Sequence, residues 1–293
     1  MTHTITLMAN PANANLEPAL LDSLMAAWQG QDLRWLSPAI AAEFQTEAIP
    51  ADFDQSWADL QTIGLDMAVQ PTAGRRKQVL LADMDSTMIQ QECIDELAYV
   101  AGVGDRVAAI TARAMNGELN FHQALIERVA LLSGLAESVI PEVLHARISL
   151  APGAAQLVAT MRAHGAHTAL VSGGFTAFTA PVAEMLNFHE HRANTLLTED
   201  GVLTGHVALP VLGREAKLEA LTEIVTARGL DPGDVLAVGD GANDLGMILA
   251  AGTGVALHAK PAVAAQARLR INHGDLTALL FLQGYTQQDF AAC

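Results

Sequence analysis

The sequence predicts a doubly wound α/β protein whose parallel sheet forms the main domain, with a helical insertion in that domain and a small α+β module ahead of it. Three observations carry this expectation. After Pro152 helical and strand patterns alternate, the rhythm of helices packed on both faces of a parallel sheet. From about 88 to 148 the apolar residues recur at three- and four-residue spacing without a strand between them. Residues 1 to about 72 instead run strand, helix, strand, strand, helix, strand.

The opening module reads THTITLMA as a strand, EPALLDSLMAAW as a helix, LRWLSP and AIAAEFQT as extended segments, FDQSWADLQ as a helix and LDMAVQP as a strand. That βαββαβ order fits a ferredoxin-like unit, two helices covering one face of a four-stranded antiparallel sheet. Pro71 to Lys77 combines a proline, a glycine and the basic run Arg75-Arg76-Lys77, which marks a linker. The boundary is set at residue 74, giving a module over 1–74 and a larger α/β domain over 75–293. Gln78 to Ala82 is a short apolar run ending in acidic residues, as expected of a buried parallel strand whose carboxyl end reaches a site. The helical insertion spans about 88–150. Beyond it come a helix at 153–165, a strand at 167–173, a helix at 175–187, a hairpin around Glu199-Asp200-Gly201, a helix at 214–229, a strand at 235–240, a helix at 244–252 and a strand at 254–257.

Composition narrows the function. Of 293 residues 51% are hydrophobic and 16% charged, the balance of a folded globular chain. A formal net charge of -16 repels a nucleic-acid backbone, and no Lys/Arg block overrides it, so no nucleic-acid partner is expected. The first residues lack a basic, then apolar, leader pattern, and no run of 18 apolar residues occurs. No membrane association is expected, and the location expected is cytoplasmic. Cys93 and Cys293 are too few for a disulfide framework or a structural zinc site. His189 and His191 form an HxH pair without a third ligand in view and read as a polar loop.

Four segments carry the chemistry. Asp83-Met84-Asp85-Ser86-Thr87 follows the first parallel strand directly, and in extended chain residues i and i+2 project to one side. Val171-Ser172-Gly173-Gly174 ends another strand with a hydroxyl and two glycines, a turn whose bare backbone can approach an anion. Lys217 sits in the helix REAKLEAL. Gly239-Asp240-Gly241-Ala242-Asn243-Asp244 ends a third strand with two more carboxylates. Each alone is an ordinary acidic turn, strand-to-helix turn or solvated lysine. No GxxxxGK[ST] or GxGxxG is present, which leaves neither a P-loop nor a dinucleotide site supported.

In this order and spacing the four segments closely resemble the haloacid dehalogenase (HAD) superfamily over residues 78 to 257, and the resemblance implies a Rossmann-like sheet with a helical cap. It also implies a phosphatase using Mg²⁺. Asp83 would be the nucleophile that becomes an aspartyl-phosphate, and Asp85 the acid, then the base. Ser172, Gly173 and Lys217 would bind the phosphoryl oxygens. Asp83, Asp240 and the backbone carbonyl of Asp85 would hold Mg²⁺, with Asp244 supporting that set from behind. Counter-charge is needed because a phosphate dianion beside a carboxylate meets repulsion of about 4 kcal/mol per charge pair at an effective dielectric of 20.

Within the superfamily, DMDSTMIQQECIDELA and the cap sequence FHQALIERVALLSG point to the branch that hydrolyses O-phospho-L-serine, the last step of serine biosynthesis. The resemblance gives Glu92 and Arg128 to the amino and carboxylate groups of the substrate, and Met115 and Phe121 to its apolar wall. Asn243 joins them at the substrate. The partner expected is therefore a small molecule, phosphoserine. Transfer of the phosphoryl group to another alcohol, a different small phosphomonoester, or an amino-acid sensor with an inert site are the alternatives. The first module looks like an ACT-type regulatory domain in architecture alone, with amino-acid sensing, a structural role and a homodimer through the module all left open.

Overall fold

Along Val79 to Ala82 the side chains alternate between two buried clusters, Val79 and Leu81 in one, Leu80 and Ala82 in the other. A strand with both faces covered must be apolar throughout, and this one is. The computed structural model describes residues 2–115 and 118–293, the side chain of Met115 excepted.

The N-terminal module contains β1 (His3–Ala9), α1 (Pro18–Trp28), β2 (Gln31–Ser37), β3 (Ala41–Thr46), α2 (Phe53–Gln61) and β4 (Leu65–Pro71). Its antiparallel sheet has the order β2-β3-β1-β4, the split βαβ arrangement of a ferredoxin-like unit. Ile5, Leu7 and Ala9 turn to the side of Leu21, Phe44 and Leu60, while Met8 on the alternate face belongs to the main core. Thus the second face of this sheet is not free.

The larger part begins with β5 (Val79–Ala82) and then gives four helices, α3 (Cys93–Val100), α4 (Gly104–Met115), α5 (Phe121–Ala130) and α6 (Val139–Arg147). A bridge between Ile89 and Leu150 ties the chain entering the helical segment to the chain leaving it, with Ala151 N–H donating to Met88 O at 2.9 Å. Asn120 and Gln123 cap α5 reciprocally, which stops the helix at the residue before Phe121. The remainder comprises α7 (Ala154–Ala163), β6 (His167–Phe175), α8 (Thr176–Leu186), β7 (Glu190–Asn194), β8 (Leu196–Glu199), β9 (Val202–Val207), α9 (Arg214–Arg228), β10 (Val235–Gly239), α10 (Leu245–Ala250), β11 (Thr253–Leu257), α11 (Pro261–Ala264), β12 (Leu269–Ile271) and α12 (Ala278–Leu282).

The six-stranded sheet is parallel, with order β12-β11-β10-β5-β6-β7. The chain winds from β5 outward through β6 to β7, then returns to β10 on the other side of β5. That reversal opens a crevice at the carboxyl ends of β5 and β10, where open α/β sheets place their ligands. Helices α9 and α10 cover one face, and α7, α8 and α12 the other.

The sequence pattern missed β7 and β12. Both are short, and His191, expected in a polar loop, lies within β7 and exchanges a 3.0 Å hydrogen bond with Thr179 Oγ1. No helix among the described residues is long and apolar enough to cross a membrane.

Candidate active site

Three strand ends meet in the crevice. Asp83 follows β5 directly and its N–H donates to Val238 O of β10 at 3.0 Å, so the carboxylate is fixed relative to the sheet. Its Oδ1 accepts from Met84 N–H at 2.8 Å and lies 2.6 Å from Lys217 Nζ. Oδ2 accepts nothing from the described residues, leaving one oxygen directed by the other. Beyond Asp83 the chain coils at once, with Thr87, Met88 and Ile89 N–H groups all donating to Met84 O.

That coil brings Asp85 under the first turn of α3, where Oδ1 accepts from Cys93 N–H at 2.8 Å and Oδ2 from Ser172 Oγ at 3.1 Å. Ser172 is itself held by Gly174 N–H at 2.8 Å. The two glycines after it are bare for a steric reason. A Cβ on Gly174 would stand 2.6 Å from Asp85 Oδ2, and one on Gly173 would stand 2.9 Å from the Phe121 ring.

Lys217, on α9, is 1% exposed, and its ammonium bridges Asp83 and Asp244. Burial alone would lower its pKa, but Asp244 and Asp83 outweigh burial and leave it raised. Asp244 is fully buried, with Oδ1 on Lys217 and Oδ2 accepting from Gly241 N–H at 2.9 Å. Both of its oxygens are therefore engaged within the protein. Asp240, after β10, has no side-chain partner among the described residues apart from Lys260 Nζ at 3.7 Å.

Oxygens of Asp83, Asp240 and Asp244 lie within 4.8 Å of one another. Three carboxylates against one buried ammonium is a deficit of positive charge. Burial, then Asp244, push the Asp83 carboxyl well above its ordinary range, and burial pushes Asp240 to about 7. Burial, then the Glu92 charge, raise Asp85 as well. A hard cation with oxygen ligands suits this set, since Asp83 and Asp240 have oxygens to give and Asp244 is committed to holding Lys217 and the Gly241 turn.

The cap closes the other side. Asp83, Asp85, Ser172, Gly173, Asp240 and Asn243 line one cavity of about 430 Å³ together with Glu92, Phe121 and Arg128. Glu92 precedes α3 and accepts from Ser86 Oγ at 2.7 Å. Arg128 on α5 donates Nε to Ala124 O at 3.2 Å, and no carboxylate among the described residues reaches ion-pair distance of its guanidinium. Burial lowers its pKa, while the charges of Asp95, Glu92 and Asp85 oppose that shift. The Met115 side chain lies outside the described residues, so its expected place in the apolar wall has no counterpart here.

The sequence assigns no role to two of the lining residues. Asp95, one helical turn beyond Glu92, and Lys260, after β11, both face the cavity. Asn194 of β7 is 2% exposed and joins two loops, donating to Gly173 O at 2.8 Å and Leu212 O at 3.1 Å while accepting from Leu212 N–H at 2.7 Å. It fixes the Gly173 peptide against the segment that leads into α9 and Lys217. The Cys93 thiol is buried, and its pKa is raised by burial and then by Asp85, so it is no nucleophile.

Comparison with known proteins extends these observations. Residues 80–249 match the model of the haloacid dehalogenase-like hydrolases. The chain is 36% identical to a phosphoserine phosphatase of Streptomyces coelicolor over 98% of its own length and 72% of the relative's. It is 45% identical to a phosphoserine phosphatase of Haemophilus influenzae over 70% of its own length, spanning 65% of that relative. Its backbone superposes on a HAD family hydrolase of Salmonella enterica serovar Typhi with a TM-score of 0.85 and 28% identity, covering 96% of this chain and 98% of the other.

Proposed function

The chain belongs to the haloacid dehalogenase-like hydrolases, and we propose that it hydrolyses O-phospho-L-serine to L-serine and phosphate with Asp83 as nucleophile. It is a phosphoric monoester hydrolase, and a serine product places it in amino-acid biosynthesis. One observation carries the substrate reading: a single cavity holds Asp83 and Asp85 on the sheet side and the opposite charges of Glu92 and Arg128 on the cap side. Phosphoserine presents a dianion at one end and an ammonium and a carboxylate at the other.

In this reading the free Oδ2 of Asp83 attacks phosphorus in line while the bond from phosphorus to the serine oxygen breaks. Asp85, whose raised pKa favours the protonated form, gives its proton to the departing oxygen. Asp85 then takes a proton from the water that hydrolyses the aspartyl-phosphate, which restores the Asp83 carboxylate and the protonated Asp85. Ser172 Oγ, the Gly173 N–H and Lys217 Nζ hold the phosphoryl oxygens as charge spreads over them. Asp83, Asp240 and the Asp85 carbonyl would hold Mg²⁺, which supplies positive charge opposite the dianion. Asp244 keeps Lys217 in place. A cytoplasmic setting and a homodimer through the N-terminal module belong to the same reading, β2 being an edge strand whose first four residues are exposed.

Arg128→Ala tests the substrate. A guanidinium binds a carboxylate through two parallel hydrogen bonds, and removing it leaves the substrate charge unpaired, a loss of about 2 to 5 kcal/mol. The expected result is a fall in kcat/KM for phosphoserine of roughly 30-fold or more, with far less change on p-nitrophenyl phosphate. Equal losses on both substrates would place Arg128 with the phosphate or with cap stability and remove the support for phosphoserine.

A further inference from the structure

A second cavity, of about 410 Å³, lies where the N-terminal module, the linker and the end of α12 meet, and its charged lining is arginine: Arg34 from β2, and Arg75 and Arg76 from the linker. The chain has 16 Lys and Arg against 32 Asp and Glu, so three guanidiniums in one cavity run against its composition. Glu43 of β3 takes two of them, Arg34 at 2.6 Å and Arg75 at 2.8 Å, and Arg34 also donates to Gly284 O at 3.1 Å. Arg76 lies over the Tyr285 ring at 4.1 Å and pairs with no carboxylate among the described residues. Arg34 Nη1, Arg75 Nε and the whole Arg76 guanidinium keep N–H groups without partners there, and the Arg75 side chain is only 11% exposed. Arg34 is half exposed and Arg76 exposed, so the pocket is open to solvent, and among the described residues Glu43 is the carboxylate within ion-pair distance of these arginines, which leaves the lining with a surplus of positive charge.

We propose that this cavity binds a small oxyanion, phosphate or carboxylate in chemistry, held between Arg34 on the module and Arg75 and Arg76 on the linker. Planar guanidinium forks suit both kinds of oxyanion. Because the anion contacts module and linker together, it binds only the docked arrangement and stabilises it by mass action.

The test is an equilibrium titration of the full chain with inorganic phosphate at constant ionic strength. Two sites are expected in the wild type, one in the active-site cavity and one here. Arg34→Ala/Arg76→Ala should weaken the second at least about tenfold and leave the first unchanged. Arg76→Ala alone breaks no ion pair and should move the second site in the same direction, which keeps the test open if the double variant fails to fold. Malonate separates the sources: competition at the second site marks a carboxylate reader, and retention of phosphate marks a tetrahedral one. A single phosphate site in the wild type, or a second site that survives unchanged in the arginine variants, overturns the proposal.

Discussion

Asp83 has its two oxygens in different situations, Oδ1 held by Met84 N–H and Lys217, Oδ2 held by nothing among the described residues. Asp83→Asn keeps the shape but removes both the proposed nucleophile and a charge that pairs with Lys217. It is expected to abolish turnover with the fold retained by circular dichroism, and an active, folded variant would exclude Asp83 as the attacking group. Asp85→Asn should keep substrate binding and cost roughly 10²- to 10⁴-fold in kcat, the range of a lost general acid. Asp240 makes a separate prediction about pH. Its carboxyl stands at about 7 in the folded metal-free chain, against about 3.9 for an unfolded aspartate. The folded state therefore binds the extra proton between those values. Stability from this group is fully present below about pH 3.9 and is lost as pH rises through about 7. In EDTA the melting temperature of the wild type should fall relative to Asp240→Asn between pH 5 and pH 8, and Mg²⁺ should restore it at pH 8. An unchanged difference between the two proteins at both pH values would show that Asp240 is not so perturbed.

At the scale of elements, the site is the meeting of the ends of β5, β6 and β10, and the glycines after Ser172 decide how closely they meet. Gly174→Ala would drive its Cβ to 2.6 Å from Asp85 Oδ2 and 3.0 Å from Ser172 Oγ, so the acid must move off its Cys93 and Ser172 partners. The expected result is a loss in kcat approaching that of Asp85→Asn, with the melting temperature changed far less than activity. Wild-type kcat in Gly174→Ala would mean that Asp85 acts from another position. This geometry was legible in the sequence because each contributor sits at the end of its own apolar strand, where a few consecutive residues report both the strand and its cargo. Asn194, Asp95 and Lys260 were not legible. Asn194 acts through two loops distant in sequence, and Asp95 and Lys260 look like solvated residues until the cap folds over the sheet. β7 and β12 escaped for a simpler reason, since five and three residues with charges among them give no period to read.

For the whole molecule, the βαββαβ order in the first 72 residues was readable from strand and helix periods, but what that module touches was not. Alternation says which residues share a face of a strand and is silent about what covers it. Here Met8, Leu36, Ala41 and Ala68 belong to the same buried cluster as Leu276, Leu279 and Leu280 of the catalytic part. Asp66 of β4, fully buried, accepts from the N–H groups of Asn272, His273 and Gly274 at 2.9, 3.0 and 2.7 Å. Glu43 reaches across to Arg75 of the linker. The module is thus packed as part of the core, although every proposed catalytic residue lies beyond residue 74. A chain beginning at Gly74 is expected to fold, because the six-stranded sheet, both of its helical layers and the Lys217 bridge all remain. Yet it would expose the apolar side of α12 and lose the acceptors of three backbone N–H groups. A Leu-sized side chain returned to water costs about 1.5 to 3 kcal/mol, and a domain of this size loses about 2 to 4 °C of melting temperature per kcal/mol. The truncated chain should therefore melt roughly 5 to 10 °C lower and self-associate in gel filtration, while retaining phosphatase activity at low protein concentration. A truncated chain that stays monomeric with an unchanged melting temperature would show that the module merely rests on the catalytic domain, and one that is folded but inactive would show that docking also shapes the site.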